Sequence, residues 1–326
     1  MNMNAKDRFF GHKWGVFNHF LAYLQNDPSF ENSYGKRTDW NTLVNEFDTE
    51  SVASALNKMG AGYYVITVMQ GTKYMIAPNA TFDRIAGTKP GEACSERDLI
   101  SDLYDSLSKY GIDLFLYFTG DGPYMDHPEG DRFGFVSPRK VGVTRPFVER
   151  WASVLEEYSV RYGKKISGWW IDGCYRDYFK YTDDLLELYY NACKKGNPEA
   201  LVALNNGVSK GDMENGYKYE DFICGERQDF DLIPTQRFYG NAQAHILAPL
   251  GVLPAENSDA NTLGPGWGCF GVKHNKEYLA DYVSRVNEAG GVVTFDIGVY
   301  RDGRFDPKQI KVLEYVGQET RTTREN

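Results

Sequence analysis

The sequence predicts an α/β protein, a TIM-like (β/α)8 barrel that takes up the whole chain as one catalytic domain, residues 1–326. Two observations carry this expectation. Eight short apolar runs rich in β-branched and aromatic residues recur along the chain. Between several of them lie segments of helical periodicity, the alternation that a parallel sheet requires. A chain of 326 residues is also an ordinary length for one barrel.

In chain order, strands are expected at 16–20, 63–69, 112–118, 166–172, 201–205, 221–224, 246–250 and 292–297. The helix at 49–59 places Val52, Ala55, Leu56 and Met59 on one face and stops at Gly60. The helix at 96–109 aligns Leu99, Leu103 and Leu107 in the same way and is followed by Gly111. Further helices are expected at 145–162, 183–194, 276–289 and 307–315. After strands five and six, between Lys210 and Glu256, no helical pattern is visible.

Composition narrows the function classes. Hydrophobic residues make up 42% and charged residues 25%, ordinary for a globular chain with a core large enough to hold a rigid site. The net charge of −9 comes with no dense Lys/Arg block, so nucleic acid is not an expected partner. No run of about 18 apolar residues argues for a membrane span. The N-terminus lacks an apolar targeting segment, so a cytoplasmic protein is expected as written, a trimmed secretory signal being the alternative. Five scattered cysteines form neither a CxxC nor a Cys/His metal spacing. No metal or organic cofactor is expected. Aromatics reach 15%, and such rings offer the flat apolar faces that sugar rings require.

In a (β/α)8 barrel the reactive groups sit at the C-terminal ends of strands. Asp172 closes the run ISGWWID ahead of Gly173. A carboxylate there can attack an anomeric carbon, or it can cap the following turn. Trp169 or Trp170 supplies a wall; strand alternation sends the two to opposite faces, so only one lines the lumen. Two glutamates compete to be the second carboxyl group that assists the leaving oxygen. Glu256 follows Pro254-Ala255 after a strand; Glu226 follows the strand of FICGERQ and could instead pair with Arg227. His19 ends the first strand, where an imidazole can donate to a sugar hydroxyl. The other histidines, His12, His127, His245 and His274, form no ligand spacing, and no GxSxG, phosphate loop or HExxH occurs.

Several segments, in order, resemble the catalytic domain of glycoside hydrolase family 29, the α-L-fucosidases. KWGVFNHF is similar to the family's FGIFIHWG, GAGYYV to its GAKYVVL, and RDL with GIDLFLYF to its RDLV helix and GLKLGLYYS strand. WWIDG resembles WFDG, whose aspartate is the nucleophile, and that resemblance gives the role to Asp172. LPAENSDANTLGPGWG resembles the PAE…RPGW stretch, and it gives the acid/base role to Glu256. AGGVVTFDIGVYRDGRF resembles GGNLLLNIGPxxDGxI at the barrel's close. The resemblance spans about Trp14 to Gly317 and implies a barrel-only member without the C-terminal β-sandwich. Two departures stand out. Gln70 and Gly71 replace the histidine pair of the family's KHHDGF, and Asp296 stands where the family has asparagine.

The resemblance implies a retaining exo-glycosidase acting on a terminal α-L-fucosyl or related sugar. Asp172 would be the nucleophile and Glu256 the acid/base, with Glu226 as its competitor or an orienting group. His19, Gln70, Trp170 and Trp267 are expected to contact the sugar of a fucosylated glycan or oligosaccharide. The alternatives are a barrel that binds carbohydrate without cleaving it, a glycosidase of the same clan with another sugar, and a barrel lyase or isomerase. The last needs a strand-end lysine or a metal cluster, and no lysine closes an expected strand.

Overall fold

A computed structural model of the chain describes residues 3–135, 142–208, 211–252 and 263–325. Nine strands are found among them: β1 Trp14–Asn18, β2 Tyr63–Thr67, β3 Asp113–Thr119, β4 Gly168–Asp172, β5 Leu201–Leu204, β6 Phe238–Tyr239, β7 Ala242–Gln243, β8 His245–Pro249 and β9 Val292–Asp296. Seven form one parallel sheet in the order β5-β4-β3-β2-β1-β9-β8, while β6 and β7 make a two-residue hairpin. The fold is an α/β barrel of the expected class.

The run expected as a sixth strand, 221–224, is not a regular strand, yet its backbone fills the gap between β5 and β8. Asp221 N–H donates to the Val202 carbonyl at 2.8 Å, Ile223 N–H to Gln243 at 3.0 Å, and Arg227 N–H to Leu247 at 2.8 Å. Gly225 breaks the extended path. Its φ of +61° suits glycine, and a Cβ there would stand 1.8 Å from the His245 carbonyl oxygen. The ladder is therefore interrupted and the closure of the ring survives.

The helices Thr49–Met59, Arg145–Tyr162 and Asp183–Lys194 have the expected bounds, and those at Leu99–Ser108 and Lys276–Glu288 are slightly shorter. The helix Pro307–Glu325 runs ten residues past the expected end. Gly60 caps its helix with φ +88°, accepting the left-handed turn that ends it. Among the described residues no helix follows β5 or the 221–227 segment, and none is long and apolar enough to cross a membrane.

Strand alternation fills the barrel with a second, inner core: Phe17, Tyr63, Val65, Phe115, Tyr117, Trp170, Ala203, Phe222 and Leu247 are all buried there. Large rings on four strands, β1 to β4, crowd this space. At Gly168 a Cβ would lie 2.1 Å from the Phe115 ring, so glycine at the start of β4 is the complement of phenylalanine on β3. The N-terminal helix Ala5–His12, absent from the sequence expectation, closes the base. Its Phe9 ring meets Tyr63, Phe115, Phe222 and His245 at centroid distances of 5.0 to 5.7 Å. Asp113 at the start of β3 anchors the helix through Arg8 Nε and His12 Nε2, both at 2.7 Å.

His245 lies in this inner core. Its Nδ1 faces the Ile223 and Cys224 carbonyls at 2.9 and 3.1 Å, so it carries the proton, and Nε2 accepts from the Thr294 hydroxyl at 2.6 Å. Burial lowers its pKa to about 4, with the two carbonyls opposing only part of that shift. A folded-state value below the ordinary 6.5 means that the unfolded chain binds the extra proton first. The stabilisation is complete above about pH 6.5 and is lost as pH falls toward about 4, by up to roughly 3 kcal/mol. His245→Asn keeps a donor for the carbonyls and removes the titration. Its melting temperature should fall less than the wild type's between pH 7 and 4.5; parallel curves would contradict this account.

Candidate active site

Six of the seven residues singled out in the sequence border one cavity at the C-terminal mouth of the barrel: His19, Gln70, Trp170, Asp172, Glu226 and Trp267. Glu256 lies outside the described residues. The topology explains the convergence. His19 follows β1, Gln70 follows β2, Asp172 ends β4, and Glu226 leaves the 221–227 segment. Parallel strands deliver all these ends to one rim.

Asp172 is the hub. Its Oδ2 accepts from the Tyr117 hydroxyl at 2.7 Å, and Oδ1 accepts from Tyr175 at 3.2 Å and from Asn205 Nδ2 at 2.8 Å. Burial and the nearby Asp172 charge push the Tyr117 phenol well above its usual value; for Tyr175 the Asp172 charge is the larger cause. Both phenols remain donors. Three donors converging on two oxygens fix the carboxylate's orientation, so a turn cap does not account for its setting.

Asn205 Nδ2 also donates to Glu226 Oε2, at 2.6 Å. One nitrogen thus bridges the two carboxyl groups, and the combined length of its two bonds caps the separation of those oxygens at about 5.4 Å. Retaining glycosidases hold their pair about 5 to 5.5 Å apart, whereas inverting enzymes need about 6.5 to 9.5 Å to admit a water. Glu226 is raised to about 8 by burial first and by the Asp172 charge second, with Asn205 opposing. A carboxyl group that keeps its proton at neutral pH beside an ordered carboxylate is the division of roles that acid-assisted displacement uses.

Rings surround the pair. Trp170 shares the inner face with Asp172 and stacks on Tyr117 at 5.3 Å and 15°, whereas Trp169 packs in the outer core. The His19 ring lies edge-on to Phe17 at 4.6 Å and to Trp267 at 5.9 Å. Gln70 Oε1 is a buried oxygen with no partner among the described residues. Asp121, Tyr124 and Tyr175 also line the cavity. Sequence reasoning missed these, together with Asn205 and Tyr117. Asn205 carried a usable signal, since it closes the fifth apolar run as Asp172 closes the fourth.

Asp296, the last residue of β9, is fully buried behind His19. Its Oδ2 lies 2.7 Å from His19 Nδ1, and its Oδ1 accepts the Gly268 N–H at 2.6 Å. Burial raises its carboxyl, opposed by His19 and the Gly268 N–H. Among the described residues no group of three or more His, Cys, Asp or Glu side chains is placed to hold a metal ion.

Comparison with known proteins bears on the family and the fold. The profile of the Alpha-L-fucosidase family matches residues 2–324. No curated protein sequence matches the chain. Among solved structures, an endo-fucoidan hydrolase from glycoside hydrolase family 107 superposes with a TM-score of 0.69 at 13% identity, covering 97% of this chain and 54% of its own. The chain therefore spans about half the length of that relative. A family 29 α-L-fucosidase from Bacteroides thetaiotaomicron gives a TM-score of 0.64 at 17% identity, with 98% of this chain and 74% of that one covered. A family 29 α-L-fucosidase from the same organism, trapped as a covalent intermediate with 2-fluoro-fucosyl fluoride, gives 0.64 at 16%, covering 98% and 76%.

Proposed function

The chain belongs to the α-L-fucosidase family of glycoside hydrolases, and on that premise we propose that it is a retaining exo-glycosidase that removes a terminal α-L-fucosyl or closely related sugar from a glycan or oligosaccharide. The observation that carries this reading is the Asp172 and Glu226 pair bridged by Asn205 inside an aromatic cavity.

In the first step Asp172 attacks C1 of the sugar while Glu226 gives its proton to the departing oxygen, leaving the sugar covalently bound through an ester to Asp172. Esterification removes the negative charge that helped to hold the proton on Glu226. Its pKa therefore falls, and the same residue becomes the base that takes a proton from water. That water attacks C1, breaks the ester and releases the sugar with its original configuration. Asn205 keeps contact with both carboxyl groups and positions them.

The cavity floor is made by Phe17, Tyr117, Trp170 and Leu247, beneath which Phe115, Phe222 and Phe9 fill the barrel. His19 and Gln70 are the polar contacts for hydroxyl groups, and Trp170 and Trp267 are the apolar walls. Trp267 belongs to the stretch 263–268, whose course is tied to β9 through the Gly268 N–H.

Aryl α-L-fucoside and aryl α-L-galactoside are the direct test, with the configuration of the first sugar released followed by NMR. Turnover of at least one of them with retention is expected. Silence on all aryl glycosides, in a folded protein that still binds the sugar, would favour a carbohydrate-binding barrel, whereas cleavage of another aryl glycoside alone would point to a different sugar.

A further inference from the structure

Asp296 meets two partners in the buried space behind His19. The Gly268 N–H is a fixed donor and takes Oδ1. The remaining oxygen of the ionised carboxylate, Oδ2, can only accept, so the proton of the His19–Asp296 contact sits on Nδ1. The other ring nitrogen, Nε2, has no hydrogen-bond partner among the described residues, and His19 borders the cavity. Packing against Phe17, Tyr117 and Trp267 holds the ring plane in place.

We propose that Asp296 sets the hydrogen-bonding polarity of His19, so that the neutral ring offers a bare Nε2 lone pair to the sugar and accepts a hydrogen bond from one of its hydroxyls. The proposal rests on the reading of the cavity as a sugar site. It makes Asp296 a positioning residue, and it makes a hydroxyl that donates toward His19 a requirement on the substrate.

Asparagine at the same position would reverse this arrangement. An amide has one accepting oxygen, which the Gly268 N–H would occupy, and its NH2 would then donate to Nδ1. The ring proton would move to Nε2, and His19 would become a donor toward the sugar. The other amide orientation sets NH2 against the Gly268 N–H, two donors facing each other in a dry site, which is unfavourable. Replacing one oxygen by NH2 therefore inverts the bond offered to a substrate that Asp296 never touches. The family motif resembled by the last strand carries that asparagine, so this chain departs from it at the residue that sets the polarity. A free hydroxyl can rotate to serve either arrangement. Fluorine in its place cannot donate, and so it reads the polarity directly.

The experiment compares wild type with Asp296→Asn in two measurements. The first is 15N NMR of histidine-labelled protein above the imidazole titration. His19 Nε2 should be unprotonated in the wild type and protonated in the variant. The second is kinetics with aryl α-L-fucoside and its 3-fluoro and 4-fluoro analogues. The KM of the parent should stay close to the wild type's in Asp296→Asn, because its hydroxyl can turn from donating to the Nε2 lone pair to accepting from Nε2–H. At one fluorinated position the wild type should lose about tenfold or more in kcat/KM, and Asp296→Asn should lose less. A protonated Nε2 in the neutral wild type overturns the proposal even if the variant fails to fold, and so does the same protonated nitrogen in both proteins. Absence of all aryl-fucoside cleavage by the wild type would count against the glycosidase reading, whereas the nitrogen spectrum still decides the polarity of His19.

Discussion

Asp172→Ala should lower kcat/KM on every fucoside by about 10^4-fold or more, because the covalent route loses the atom that forms the bond to C1. Among the described residues Glu226 is the one other carboxyl group bridged to this position, and it is protonated when the first step begins, so it offers no carboxylate in place of Asp172. The protein should still fold. Tyr117, Tyr175 and Asn205 each lose an acceptor, and only Tyr117 and Asn205 are fully buried, so a destabilisation of about 1 to 3 kcal/mol is expected. A cooperative melt a few degrees below the wild type's would separate lost chemistry from lost structure. Added azide fits the space vacated by the carboxylate and attacks C1 from the same face. It should give a glycosyl azide of inverted configuration and no product of retained configuration. Turnover near the wild-type level in this variant would end the assignment of Asp172.

The parts of this site that could be read in the sequence are those governed by local rules. Period-two alternation puts Trp170 on the face of Asp172 and sends Trp169 to the outer core, and the strand-end rule finds His19 and Asp172 without any three-dimensional information. The same rule applied to the fifth run would have singled out Asn205, and parity with Phe115 would have turned Tyr117 inward. What could not be read is contact between distant strands. Glu226 and Glu256 both follow an apolar run, and nothing in either segment says which one a residue 33 positions beyond Asp172 would bridge to it. The irregular closure at 221–227 was hidden for a related reason. Gly225 takes its φ from the close approach of the His245 carbonyl, a neighbour supplied by β8. The helix that carries Phe9 was missed because its apolar face is explained only by the open base of the barrel it fills.

Glu226→Ala should divide substrates by leaving group. On natural glycosidic linkages, whose alkoxide departs poorly without a proton, kcat/KM should fall by about 10^2- to 10^4-fold. On a dinitrophenyl fucoside it should stay close to wild type, because that phenolate leaves unaided. The pH profile supplies an independent sign. In the wild type the productive form carries the proton on Glu226, so kcat/KM should decline as pH rises through about 8, and on the activated substrate this limb should vanish in the variant. The second step is impaired on every substrate, since no base remains to activate water, and the ester to Asp172 should accumulate. Azide needs no base and can enter where the glutamate stood, on the face opposite Asp172. Its attack on that ester gives a glycosyl azide of retained configuration, the mirror of the outcome expected for Asp172→Ala. The stereochemistry of one small product thus tells which face of the sugar each carboxyl group addresses. Were Glu256→Ala to show this leaving-group pattern and azide product, with Glu226→Ala affecting all substrates alike, Glu256 would be the acid/base and Glu226 the residue that orients Asp172 through Asn205.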